Sequence, residues 1–175
     1  QVYIDHALHR PGSGFYFQME RSVNPDGFWY EGSAHYHFYT LEALIYLAEA
    51  ALHSGVDLYA EAKLKAMFDF PLRYANPAFR LPTINDGRTV DLLAADRGWR
   101  YEIAYRRYQD PLYAALLRRA PRTSLQFMLY GVMELPTEEP AAPVSEYLAS
   151  GLTVLRKSAP QKEAYAVLNM MPYAG

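Results

Sequence analysis

Hydrophobic positions recur at helical spacing most clearly between Ser33 and His53, where Leu41, Leu44, Ile45, Ala48, Ala51 and Leu52 follow the i, i+3, i+4, i+7 rule. The other side, with Tyr46, Leu47 and Ala50, is also poor in charge, so the pattern predicts an inner helix covered over most of its circumference. Ser54-Gly55 stops it. Asp57 opens a second helix in which Leu64, Met67 and Phe68 form an apolar patch, and Pro71 interrupts or kinks that helix. A short link between two antiparallel helices is a helical hairpin, the repeating unit of bundles, solenoids and toroids. No regular sequence period chooses among these three.

Before this pair, Val2 to Leu8 reads as a short helix, Arg10 to Gly14 as a turn, and Phe15, Phe17, Met19 and Val23 as a second short helix ending at the turn Asn24-Pro25-Asp26-Gly27. After it, Asn76 to Gly87 is a loop with two prolines and a terminal Asn-Asp-Gly turn. Further helices are predicted through Trp99 to Tyr108, from Pro111 to Arg119, and from a Thr123 cap to Gly131. Arg97, Arg100, Arg106 and Arg107 read as a solvated face paired with Asp96, Glu102 and Asp110. Beyond Pro136 the period changes. Leu152 to Arg156 and Ala164 to Leu168, separated by the polar segment Lys157 to Glu163, read as an antiparallel strand pair. The fold class is therefore mainly α, with helices over residues 1–135, a linker at 136–143, and the start of a sheet domain, cut short, at 144–175.

Composition narrows function mostly by exclusion. The formal net charge of −2 gives no sign of a nucleic-acid partner. With no cysteine, neither a disulfide framework nor a thiolate metal site is available. The best candidate for a membrane span, Leu41 to Leu52, carries Glu42 and Glu49, so no membrane segment is expected.

The chemistry is concentrated just before the long helix, in Asp26-Gly27-Phe28-Trp29-Tyr30-Glu31-Gly32-Ser33-Ala34-His35-Tyr36-His37-Phe38-Tyr39. Ser33 is a good N-cap, and helical spacing then puts Tyr36, Tyr39, Thr40 and Ala43 on one face, with His35 and Tyr39 one turn apart. Tyrosine and histidine also rim ordinary helical cores, so composition alone leaves a structural role equally open. The pattern D-G-x-x-x-E-G-S-x-x-Y-H-x-Y followed by T-L-E-A-L-I-Y-L-A-E-A-A resembles the heparinase II/III-like polysaccharide lyases, which include oligoalginate lyases and heparin and heparan sulfate lyases. The loop Leu81-Pro82-Thr83-Ile84-Asn85-Asp86-Gly87 resembles one that lies near the mouth of the substrate cleft in that family.

The resemblance implies part of an α/α toroid followed by the first strands of a truncated antiparallel β-sandwich, and an acidic polysaccharide of alginate or glycosaminoglycan type as partner. It implies β-elimination: loss of the C5 proton of a uronic acid and expulsion of the C4 oxygen, with Tyr36 as catalytic acid and base. His37 and His35 are the local groups able to tune that phenol, although a structural hydrogen bond is the plainer role for His35. Glu31 organises the turn, Tyr39 lines a sugar subsite, and Asn85 and Asp86 belong to the cleft loop. Phe38 stands where some alginate-acting relatives carry a polar or basic residue. No cofactor or metal is implied within this chain; the rest of the sandwich leaves room for a structural metal. A second catalytic histidine is implied after Gly175 and an asparagine-histidine pair before Gln1, with a periplasmic or secreted setting.

Two readings of other classes remain beside it. A glycoside hydrolase on a similar toroid needs two opposed carboxylic acids, for which Asp26, Glu31 and Asp86 are the candidates. A non-catalytic helical or carbohydrate-binding module needs neither.

Overall fold

A computed structural model describes residues 2–85, 87–159 and 162–172. They form seven α-helices, α1 (Val2–His9), α2 (Phe15–Arg21), α3 (Ala34–Leu52), α4 (Ala62–Tyr74), α5 (Ala95–Tyr108), α6 (Pro111–Leu117) and α7 (Leu125–Tyr130), with a 3-10 turn at Leu58–Ala60. Two antiparallel sheets complete them. A short pair, β1 (Arg80–Leu81) and β2 (Val90–Asp91), lies within and after the loop predicted at 76–87, and β3 (Glu146–Tyr147), β4 (Leu152–Ala159) and β5 (Lys162–Asn169) form a three-stranded sheet in that order. None of the described helices is long and apolar enough to cross a membrane.

α3 is the spine. Phe38, Leu41, Ile45, Ala48 and Ala51 are sealed against the 3-10 turn, α4 and α5, as their spacing requires. The opposite face is open, contrary to the expectation of cover on most sides: Tyr36, Tyr39, Ala43, Tyr46 and Ala50 are exposed, although the Tyr46 ring stacks on Trp99 of α5. Pro71 does not break α4, which continues to Tyr74. The proline has no N–H to give the carbonyl of Met67 one turn earlier, and His37 Nε2 on α3 takes that carbonyl instead, at 2.9 Å.

The solvated face expected of the α5 arginines holds only in part: Arg106 is exposed and Arg97 lies 3.7 Å from Asp96, but Arg100 and Arg107 pair with α3. Arg100 is 1% exposed and pairs with Glu42 of α3, while Arg107 makes a forked pair with Glu49 of α3 at 2.8 and 3.0 Å. Glu102, itself buried, is held by two parallel bonds from Arg122, each 2.8 Å, and Asp110 is held by Lys65 at 3.1 Å. These charges join helices, and forked guanidinium pairs fix their relative rotation as well as their distance. The cap of α7 is Ser124, whose Oγ accepts from the Phe127 N–H, rather than Thr123.

Lys63 of α4 donates to the carbonyls of Met19 at 2.6 Å and Val23 at 2.7 Å, closing the C-terminal end of α2. Lys63→Met leaves those carbonyls without their donor, and equilibrium urea unfolding should show a loss of about 1–3 kcal/mol. An unchanged midpoint would mean that water replaces the ammonium at no cost.

The polar segment read as the connection between strands is mostly strand itself. β4 and β5 pair from Leu152↔Asn169 to Ala159↔Lys162. Leu148, Leu152 and Val154 of the sheet region join the same core as the helices, and Arg73 of α4 pairs with Glu146 of β3 at 2.7 Å. Residues 131–145 have no regular structure, and Arg118 and Arg119 at the end of α6 hold Glu139 within them.

Candidate active site

The turn Asn24–Gly27 delivers the site segment to the start of α3. Gly27 has φ +95°, and a Cβ there would sit 2.1 Å from the Ala66 carbonyl oxygen, so only glycine lets the turn lie against α4. Phe28 is fully buried and stacks on Phe70 with ring centres 4.2 Å apart. The next residue, Trp29, donates its backbone N–H to His37 Nδ1 at 3.3 Å and its indole N–H to Glu31 Oε2 at 2.7 Å. Glu31 is thus tied to Trp29 two residues earlier and lies at the surface.

His37 is 1% exposed, with one ring nitrogen accepting from Trp29 and the other donating to Met67. Only the neutral imidazole with its proton on Nε2 satisfies both partners. Burial is the main cause holding its pKa down at about 4, against the smaller raising effects of the Met67 carbonyl and nearby Asp26. This ring is closed off from solvent. It fastens the site segment to α3 and α4.

Tyr36 and Tyr39 point the other way. Tyr36 is 38% exposed and its hydroxyl has no hydrogen-bond partner among the described residues; Tyr39, one turn on, is 75% exposed. Helical side chains lean toward the helix N-terminus, so the Tyr36 ring overhangs the first turn of α3. His35 is also exposed and meets the Tyr36 ring edge-on, with centres 5.6 Å apart. Phe38 is fully buried in the core and adds nothing to the exposed surface.

The loop around Asn85 comes to the same place. Asn85, with φ +54°, donates its side-chain amide to the Gly32 carbonyl at 3.0 Å, and a Cβ on Gly87 would lie 2.8 Å from Ser33 Oγ. Ser33 occupies the N-cap position with extended backbone, yet its hydroxyl makes no capping bond. Asp86 lies outside the described residues. The end of the sheet arrives here too: a Cβ on Gly32 would stand 3.3 Å from Met171 Cε, a contact that sequence spacing did not indicate.

Of the candidate carboxylates, the two among the described residues, Asp26 and Glu31, have separate partners and do not form an opposed pair. Asp26 is 5% exposed, with Oδ1 accepting from the Phe28 N–H at 3.2 Å and Oδ2 from the Ser150 N–H at 2.7 Å, while Glu31 lies outside on the indole. Among the described residues no group of three or more histidines and carboxylates is arranged to hold a metal ion.

What the geometry presents is a free phenol beside a histidine and a second tyrosine, on a helix start buttressed by Asn85 and Met171. Residues 8–79 match the family model described as Alginate lyase. The match supports a polysaccharide lyase family and a polysaccharide substrate, without singling out the heparinase II/III group. The alginate lyase match runs from the end of α1 through α4 to Phe79 and takes in every residue of the site segment. No curated protein and no solved structure matches the chain.

Proposed function

We propose that the chain carries the tyrosine side of a lyase site that cleaves a uronic-acid polysaccharide by β-elimination, alginate being the first substrate to try. The observation that carries this reading is exposed Tyr36, its hydroxyl without a hydrogen-bond partner among the described residues, inside the segment that matches the alginate lyase family model. Tyr36 protonates the departing C4 oxygen, and in a syn elimination its phenolate first removes the C5 proton, so a single group serves as base and then acid. The developing charge on the uronate needs donors placed where it accumulates. Exposed His35 stands against Tyr36, Tyr39 offers an apolar ring with a polar tip to a neighbouring sugar, and Asn85 holds the loop beside them.

In this reading the helical hairpins are part of an α/α toroid and β3 to β5 are the first strands of a β-sandwich. A polymeric substrate suits a periplasmic or secreted protein. The test is ultraviolet absorbance of the C4–C5 double bond when the longest natural protein carrying this chain is incubated with alginate, with heparan sulfate and with a neutral glucan. Absorbance should rise with a uronate polymer and stay flat with the glucan. No rise with any uronate polymer overturns the assignment.

A further inference from the structure

The elimination proposed for Tyr36 makes no use of Asp26, yet Asp26 is the most deeply buried carboxylate of the site segment. Its two oxygens are spent on backbone donors from distant parts of the chain. Oδ1 accepts from Phe28, within the site segment, and Oδ2 accepts from Ser150, in the turn between β3 and β4, across 124 residues. A buried carboxylate that meets only amide N–H groups is expensive to desolvate, so each of these bonds matters to keeping it there.

Two paths lead from the same β-turn to the first turn of α3. Along the first, Ser150 holds Asp26, Asp26 holds Phe28, and the next residue, Trp29, is bonded to His37, the neighbour of Tyr36. Along the second, the Gly151 carbonyl accepts from Met170, and Met171 then packs on Gly32, just before the helix. The sheet therefore grips the start of α3 at two points, and among the described residues the Asp26–Ser150 bond is the one side-chain hydrogen bond that joins the β3–β4 turn directly to the site segment.

We propose that Asp26 is a positioning residue for Tyr36, coupling the docking of the β3–β4 turn to the orientation of the phenol. The inference rests on the lyase reading of Tyr36 only for its kinetic arm. Asp26→Asn keeps the size of the side chain but replaces one acceptor with a donor, so it can satisfy one of the two N–H groups and opposes the other. Asp26→Ser can still accept from Phe28 but does not span to Ser150, and separates the two bonds if the asparagine variant does not fold. The comparison variant is Arg73→Met, which cuts the Arg73–Glu146 pair and so loosens the sheet away from the site.

Displacement of a reacting group costs turnover more than binding, so Asp26→Asn should lower kcat about tenfold or more with KM within about threefold, while Arg73→Met leaves kcat within about twofold. In amide exchange and ring spectra, the Ser150 N–H should lose protection and the Tyr36 ring signals should shift in Asp26→Asn and Asp26→Ser, but the Tyr36 signals should stay in place in Arg73→Met. Equal losses of kcat in the two variants would reduce Asp26 to a general tether of the sheet and overturn the proposal. So would unchanged Tyr36 ring signals in both Asp26 variants, whatever the turnover. If the unaltered protein cleaves no uronate polymer while the ring signals respond as described, the coupling stands and the lyase reading alone falls.

Discussion

Tyr36→Phe should abolish uronate cleavage while leaving the fold intact. The ring stays, so whatever packing it makes with His35 is kept, and the hydroxyl has no hydrogen bond to lose among the described residues. Stability should therefore change by less than about 0.5 kcal/mol, as for a surface substitution away from special features. Turnover should fall by about 10³-fold or more, because the lost hydroxyl would have been both the base at C5 and the acid at the C4 oxygen, and each such role is worth about 10²–10⁴. The assay is the appearance of the C4–C5 double bond, read beside circular dichroism and thermal unfolding of the same sample. Activity within about tenfold of the parent would take Tyr36 out of the chemistry, since no single proton carrier costs so little to remove.

The second large effect is on stability, and it depends on pH. His37 has a folded pKa of about 4 and titrates near 6.5 when unfolded. Between those values the unfolded chain binds one proton more than the folded one, so the folded state loses stability as pH falls through that window. The contribution is complete above pH 6.5 and gone below about 4, changing by about 1.4 kcal/mol per pH unit and on the order of 3 kcal/mol in all. The cause is visible in the bonding: a second proton would set Nδ1–H against the Trp29 N–H and bury a charge beside Phe28, Phe38 and Phe70. His37→Gln should be less stable at pH 7, by about 2 kcal/mol, from disturbed bonds to Trp29 and Met67. Its loss between pH 7 and about 4.5 should be smaller than the parent's by about 2–3 kcal/mol. Denaturant curves at the two pH values for both proteins decide it, and parallel losses would show that other groups carry the acid sensitivity.

His37 also shows where reading along the chain stops. Its place one residue after Tyr36, in a segment dense with tyrosine, made it a natural candidate for tuning the phenol. The α-helix turns about 100° per residue, which sends His37 inward when Tyr36 faces outward. Which of the two faces was the buried one depended on where α4 and α5 pack. Pro71 held part of the answer: a proline inside an apolar helix leaves the carbonyl four residues earlier in need of a donor, and His37 supplies it. The arginines of α5 teach the same lesson. Local spacing paired them with their own helix neighbours, which holds for Arg97 and Asp96, whereas Arg100 and Arg107 find Glu42 and Glu49 on α3 and Glu102 finds Arg122.

Short-range chemistry settled the existence of α3 and its neighbours, the glycine turn before it, the strand pair near the end, and the placing of a tyrosine at the head of the longest helix, because periodicity and turn preference act over a few residues. Burial and partnership were decided by packing alone. The Asp26 link to Ser150 spans 124 residues and the Asn85 link to Gly32 spans 53. No local spacing encodes such bonds, since they form only when hydrophobic burial brings distant elements together and leaves each enclosed polar group to find a partner.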